Sequence, residues 1–388
     1  MVFKSNGLRA NFQAGFFVAA ALAACDVAPG IAHAASAAAV YSFAGGTDGA
    51  NPEASLINVS GAVYGTTYSG GENGCGTVFK VAQTGAEAVL YSFKCGTDGA
   101  NPEAKLLDVG GTLFGTTYNG GANGNGTVFA VTPAGAETVV YSFKGGDDGA
   151  HPAAGLINAG GTLFGTTLNG GGSKACKAGC GTVFRLTVSG NEKVVHAFAG
   201  GSDGASPYAS LLDVGGLLYG ATYFGGRTWG TVFSVSKAGP EKIIYAFKGP
   251  AFGDAGLPAA NLINVGGTFY GTSVVGATEI CGGSGCGAVF KLTPAGVESV
   301  VYSFPALAYP YAGLVNIKGT LFGTTYSTGA TGGGTVFKVA QTGEVTPLVV
   351  FPATTSLMSG LLNVDGTLYG VTPGGGANGL GMVFKLVP

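Results

Sequence analysis

Four short runs of apolar and β-branched residues, each ended by a turn signal, recur along this chain with a period of about 50 residues. The clearest copy lies at 104–143. Ala104 to Val109 forms the first run, and Gly110-Gly111 follows, a dipeptide suited to the positive φ of a tight hairpin. Thr112 to Tyr118 is the second run, Asn119 to Asn125 a Gly/Asn-rich loop, and Gly126 to Val131 the third run. Pro133-Ala134-Gly135 turns the chain into the fourth, Thr138 to Phe143. No helical period appears in the repeated region, so each copy predicts an antiparallel four-stranded meander.

Three marks align the copies. An aromatic-Gly step in the second strand recurs seven times, from Tyr64-Gly65 through Phe114-Gly115 to Tyr369-Gly370. Third strands end in Phe from Phe79 to Phe384, and fourth strands end in Phe from Phe43 to Phe351. Such a sheet is apolar on both faces: Val139, Tyr141 and Phe143 point one way and Val140 the other. It cannot bury itself alone, and radial stacking of four-stranded blades solves the problem. A lone fourth strand, Ala38 to Phe43, precedes the first full copy, and the seventh stops after its third strand, Gly381 to Leu386. That offset predicts a ring closed by exchange of the terminal strands, whereas an open solenoid would need polar caps. The expectation is an all-β fold over 36–388: one seven-bladed β-propeller of four-stranded antiparallel blades, strand one nearest the axis and the N-terminal strand completing the last blade.

The strings Gly76-Thr77-Val78-Phe79-Lys80-Val81 and Leu113-Phe114-Gly115-Thr116-Thr117 resemble the GloVer tandem repeat of the choice-of-anchor family of exported bacterial proteins. The resemblance covers about residues 38–388 and implies export and a surface anchor that varies between members, with no established reaction. The layout also looks like quinoprotein-type blades, but the outer-strand tryptophan expected there is Tyr or His, so no quinone cofactor follows.

Composition narrows the classes. Gly is abundant (74 residues), yet hydrophobic residues at 46% allow a large core, and charged residues at only 10% fit sheets covered on both faces. A net charge of −2 without a Lys/Arg cluster argues against nucleic acid as a partner, and a monomer is expected. Residues 1–35 read as a secretory signal, with Lys4 and Arg9 ahead of the apolar Ala14 to Ala24. Two exits compete. Ala32-His33-Ala34 is a small-x-small cleavage site, and Leu22-Ala23-Ala24-Cys25 resembles a lipobox whose Cys25 would carry a lipid and hold the protein on a membrane surface. Either route makes the protein exported: periplasmic, outer-membrane-associated or extracellular.

The other six cysteines fall into local pairs, Cys75 with Cys95, Cys176 with Cys180 and Cys281 with Cys286, which read as disulfides. A zinc site is disfavoured because the pairs sit on different repeats and only His151 and His196 follow the signal segment. No metal site is assigned.

Candidate chemistry is thin. Asp48, Asp98, Asp148 and Asp203 occupy Asp-Gly loops between copies. A carboxylate ring for calcium or a sugar is one reading. An Asx-type turn is the preferred one, since each loop offers a single carboxylate. Asn and Asp alternate at another repeat position, as at Asn58 and Asp108, which marks turn formers. Departures from the repeat point to ligands: Arg227 beside Trp229, the only tryptophan, and Tyr309-Pro310-Tyr311 in place of an Asp-Gly loop. Tyr223 recurs with other tyrosines where strand two leaves the sheet. His196 replaces an outer-strand Tyr and reads as packing. The leading functional expectation is a non-enzymatic binding or scaffold module for a glycan or surface protein. The alternatives are a carbohydrate-active or lactone-hydrolysing enzyme with its site at the central channel, and a purely structural surface protein.

Overall fold

A computed structural model describes residues 36–277, 286–305, 307–327, 332–340 and 342–388. Within them lie seven four-stranded antiparallel sheets. Blade 2 is typical: Leu107–Val109, Thr112–Thr117, Thr127–Val131 and Glu137–Ser142 pair in sequence order. Blade 7 takes Leu362–Val364, Thr367–Thr372 and Met382–Leu386 from one end of the chain and Ala38–Ser42 from the other. Ala39 pairs with Phe384 and Tyr41 with Val383, so the expected closure is met. The first strands of blades 1 and 7, Ile57–Val59 and Leu362–Val364, approach each other, which puts strand one at the axis.

The repeated residues explain the packing. Gly115 pairs opposite Phe129. A Cβ on Gly115 would fall 2.4 Å from the tip of that ring, so the aromatic-Gly step exists to let the phenylalanine cross the sheet. The last Phe of each blade then meets the third-strand Phe of the next edge-on: Phe93 and Phe129 lie 5.0 Å apart at 73°. The same contact joins Phe43 to Phe79 and Phe351 to Phe384, so the aromatic zipper runs around the ring. Each such pair stabilises by ~0.5–1.5 kcal/mol beyond burial. Asn58 and Asp108 cap the first hairpins through the amides of Gly61 and Gly111, as their alternation predicts.

Two local details differ from the sequence reading. Alternation in strand four breaks at Val140, because Phe129 pairs with Val139 and Val128 with Tyr141, leaving Val140 as a bulge. The Val140 carbonyl instead meets the hairpin turn of blade 3, 2.7 Å from where a Cβ on Gly190 would sit. Strand one starts at Leu107 rather than Ala104. Residues before it run along the neighbouring blade, as when Thr66 Oγ1 donates to the Pro102 carbonyl.

Cys75–Cys95 and Cys176–Cys180 are disulfides, with Cα atoms 5.5 and 5.2 Å apart. Cys286 is fully buried. Its expected partner Cys281 lies outside the described residues, as do Cys25 and the whole leader. Disulfides belong to an oxidising, exported environment. Among the described residues no helix is long and apolar enough to cross a membrane.

Candidate functional site

The loops that carry the chain from strand four of one blade to strand one of the next converge on one face. Six of the seven hold a residue in the left-handed region: Asn51 (φ 56°), Asn101 (58°), His151 (57°), Ser206 (54°), Leu257 (55°) and Tyr309 (46°). Its carbonyl accepts the amide of the residue leaving strand two, as from Tyr68 to Asn51 and from Tyr326 to Tyr309 at 3.0 Å. Asn101 Nδ2 donates to the Tyr68 carbonyl (3.0 Å) and ties adjacent blades. The result is a collar around the mouth of the axial channel. Asn tolerates this conformation; Leu257 and Tyr309 hold it at a cost of about 1–3 kcal/mol each.

The collar is lopsided. On the side of blades 1–3 it presents amides, including Asn101 bonded to Asn119, and His151 stacked on Tyr118 at 4.9 Å. Burial lowers the His151 pKa, with a hydrogen bond to Asn169 opposing it. Tyr68 and Tyr118 stand on that side at the repeat position that Tyr223 and Tyr326 fill opposite, and the far side adds Tyr309 and Tyr311. The Tyr311 ring lies 6.5 Å from Tyr309 and 5.9 Å from Tyr326. Burial raises the Tyr311 pKa most, and Tyr223, Tyr309 and Tyr326 raise it further. Burial also pushes Tyr223 up to about 12. Tyr223, Tyr309 and Tyr311 therefore keep their hydroxyl protons at physiological pH.

Below the collar a ring of residues, one per blade, surrounds the axis. A Cβ on Gly155 would lie 3.3 Å from the Lys105 Cβ and 3.1 Å from Ser210 Oγ. The Ser210 amide donates to Asn261 Oδ1 (2.7 Å), and the Gly360 amide to Ser55 Oγ (2.8 Å). Lys105 is the charged member of this ring. It is open to solvent, yet the protein around it desolvates the ammonium and lowers its pKa. A side chain crowded by its neighbours on the ring and still reached by solvent satisfies both facts. Sequence reasoning missed Lys105, because its position is filled by small residues in other copies.

Tyr223, Tyr309 and Tyr311 thus share one site, while Arg227 and Trp229 part. Trp229 is half-buried between blades 4 and 5, its ring 2.4 Å from where a Gly249 Cβ would sit, and its carbonyl accepts from Leu257 N (2.7 Å). Arg227 is exposed and lines a cavity of about 470 Å³ in the groove between blades 3 and 4, with Ser202 and Asp203.

The Asp-Gly carboxylates do not form an open ring. Asp98 accepts from the Lys94 amide (2.7 Å) and the Tyr91 hydroxyl (2.8 Å), four and seven residues earlier rather than ahead as in an Asx turn. Asp148 repeats this with Lys144 and Tyr141, and Asp48 with Ala44 and Tyr41. Asp203 accepts from Ala199 N (2.5 Å). Each then faces the first residue of strand four in the next blade. That residue is Glu87, Glu137, Glu192 or Glu241, and Asp254 faces Glu298 likewise. Burial, then the Asp charge, raises the Glu137 pKa to about 7.

Residues 31–178 and 227–388 match the Gloeobacter/Verrucomicrobia repeat family, and the chain belongs to it. Comparison with curated proteins returns no match. Among solved structures, a putative 6-phosphogluconolactonase from Bacteroides uniformis aligns at 17% identity and TM-score 0.51, covering 78% of this chain and 88% of its own. BamB from Moraxella catarrhalis aligns at 13% and 0.52, covering 91% and 99%. A puromycin hydrolase aligns at 10% and 0.56, covering 84% of this chain and half of that one. At such identities the likeness concerns the fold.

Proposed function

We propose that this member of the Gloeobacter/Verrucomicrobia repeat family is an exported binding propeller that holds a saccharide at its axial mouth. The lopsided collar carries the reading. Seven near-identical blades would give a symmetric opening, and here Tyr309 and Tyr311 add two rings to the far arc where the near arc has Asn101 and His151. A sugar ring stacks its C–H face on aromatic rings and offers hydroxyls to amides opposite. Lys105, deeper in the channel, would pair with a carboxylate and favour an acidic sugar. A lipid at Cys25, or cleavage after Ala34, would set whether the protein sits on a membrane surface or runs free.

The lone lysine also favours a second reading, turnover of an acidic saccharide, since desolvation leaves more of the amine unprotonated and able to accept a proton. One experiment addresses both. Purified exported protein is tested on an array of neutral and acidic saccharides, and hits are re-run in solution with product analysis. Tyr311→Ala is expected to weaken binding at least ~10-fold, about 1.4 kcal/mol of lost stacking, with circular dichroism checking the fold. Lys105→Ala should weaken acidic ligands alone. Binding of no saccharide, or binding unaffected by Tyr311→Ala, refutes the mouth as the site. Product appearing with wild type and absent with Lys105→Ala replaces the binding reading with the enzymatic one.

A further inference from the structure

Five grooves between neighbouring blades share one plan: an aromatic near the end of strand four, the Asp of the following loop, and the first Glu of the next blade's strand four. In four of them the aromatic is tyrosine. Tyr91 donates its hydroxyl to Asp98 beside Glu137, and Tyr141, Tyr41 and Tyr245 do the same for their aspartates. The phenol supplies a proton where two carboxyls meet.

The groove between blades 3 and 4 breaks the plan. His196 stands in the tyrosine's place, with Asp203 and Glu241. One ligand atom from each lies within 4.8 Å of the other two. Nε2 of His196 is 3.3 Å from Asp203 Oδ1, without hydrogen-bond alignment. Nε2 and Glu241 Oε1 are both closed to solvent and take no hydrogen bond. These atoms converge without the tyrosine hydroxyl that donates to the aspartate in the sibling grooves, and a bound cation would balance the carboxylates here. The cavity of about 470 Å³ opens beside Asp203, so ligands beyond the three side chains have room. The cationic side chain lining it is Arg227, which is exposed and points to an anion as the further ligand.

We propose that His196, Asp203 and Glu241 bind one divalent transition-metal ion, with open coordination positions facing the cavity. One imidazole and two carboxylates form a borderline donor set that suits zinc or manganese better than calcium. Aspartate and glutamate recur in the sibling grooves, so histidine is what distinguishes this one.

The siblings also supply the control. His196→Tyr restores the arrangement of four folded grooves and should fold. Purified exported protein without a histidine tag is dialysed against zinc, then separately against manganese and calcium, and bound metal is counted per chain. Wild type is expected to retain one zinc. His196→Tyr should lose it by at least ~100-fold in affinity, and Glu241→Gln should weaken it at least ~10-fold. Circular dichroism checks the fold of each variant. Wild type retaining no zinc, or zinc retained equally by His196→Tyr, overturns the assignment. Saccharide binding at the mouth is not involved, so either reading survives failure of the other.

Discussion

The paired carboxyls between blades make a sharp statement about pH. Glu137 is pushed to about 7 from an ordinary 4.5 by burial and by Asp98, and Glu87, Glu192 and Glu298 behave alike, the last reaching about 8. Between pH 4.5 and about 7 the folded state holds protons that the unfolded chain has released. Stability from these groups is therefore present below pH 4.5, falls as pH rises through 7, and stays low above 8. Holding one proton over that interval corresponds to at most ~3 kcal/mol. The carboxyls are half-buried, and solvent screening leaves ~1 kcal/mol per groove, or ~4 kcal/mol for the four tyrosine grooves. Burial raises the Tyr91 pKa as well, so the phenol keeps its proton throughout. The assay is urea unfolding at pH 5, 7 and 9 for wild type and Glu137→Gln. The amide can donate to Asp98 at every pH. The variant should match wild type or fall slightly below it at pH 5 and exceed it by ~1 kcal/mol at pH 9. An effect of the same size and sign at both pH values would refute the shared-proton account.

Two further outcomes test the packing. Gly115→Ala drives a methyl to within 2.4 Å of the Phe129 ring and should destabilise by ~3 kcal/mol in urea unfolding, with Phe129→Leu recovering part of the loss in a double-mutant cycle. Reduction should lower stability unequally. Opening Cys75–Cys95, separated by 20 residues, should cost about 3 kcal/mol, and opening Cys176–Cys180, separated by 4, about 2 kcal/mol, read by unfolding Cys75→Ser and Cys176→Ser variants.

Much of the ring was legible because its determinants are local and repeated. The aromatic-Gly step, the hairpin Asn or Asp and the terminal Phe recur at fixed spacing, and each reports a contact made in every blade. The bulge at Val140 was not legible, since its cause is a turn glycine in the next copy. The carboxyl pairs hid for the same reason: Asp98 was singled out, but Glu137 belongs to the following blade. The signal was present, because Glu87, Glu137, Glu192, Glu241 and Glu298 all open a fourth strand. Asp254 escaped notice because its loop reads Gly253-Asp254-Ala255 rather than Asp-Gly. At the candidate mouth, Tyr309 and Tyr311 were found as departures from consensus, whereas Lys105 sits at a position otherwise filled by Ser, Gly or Asn, which drew no notice. Trp229 was read as a ligand contact because it departs from the repeat, and rarity in sequence says nothing of packing; the glycines at 249 and 256 that receive it come from the neighbouring repeat.

The clasp between Ala38–Ser42 and Met382–Leu386 has a kinetic side. Asn378 Nδ2 reaches the Phe43 carbonyl across 335 residues of chain. With synthesis at ~5–20 residues per second, the last strand follows the first by tens of seconds, and the first has no mate until it arrives. It meanwhile offers an unsatisfied edge to any other chain nearby. Its five residues open with two exposed alanines, which gives a stranger little to grip. Locking is thus a final, concentration-sensitive event. Crowded synthesis should favour dimers that trade this strand, and dilution should favour monomers.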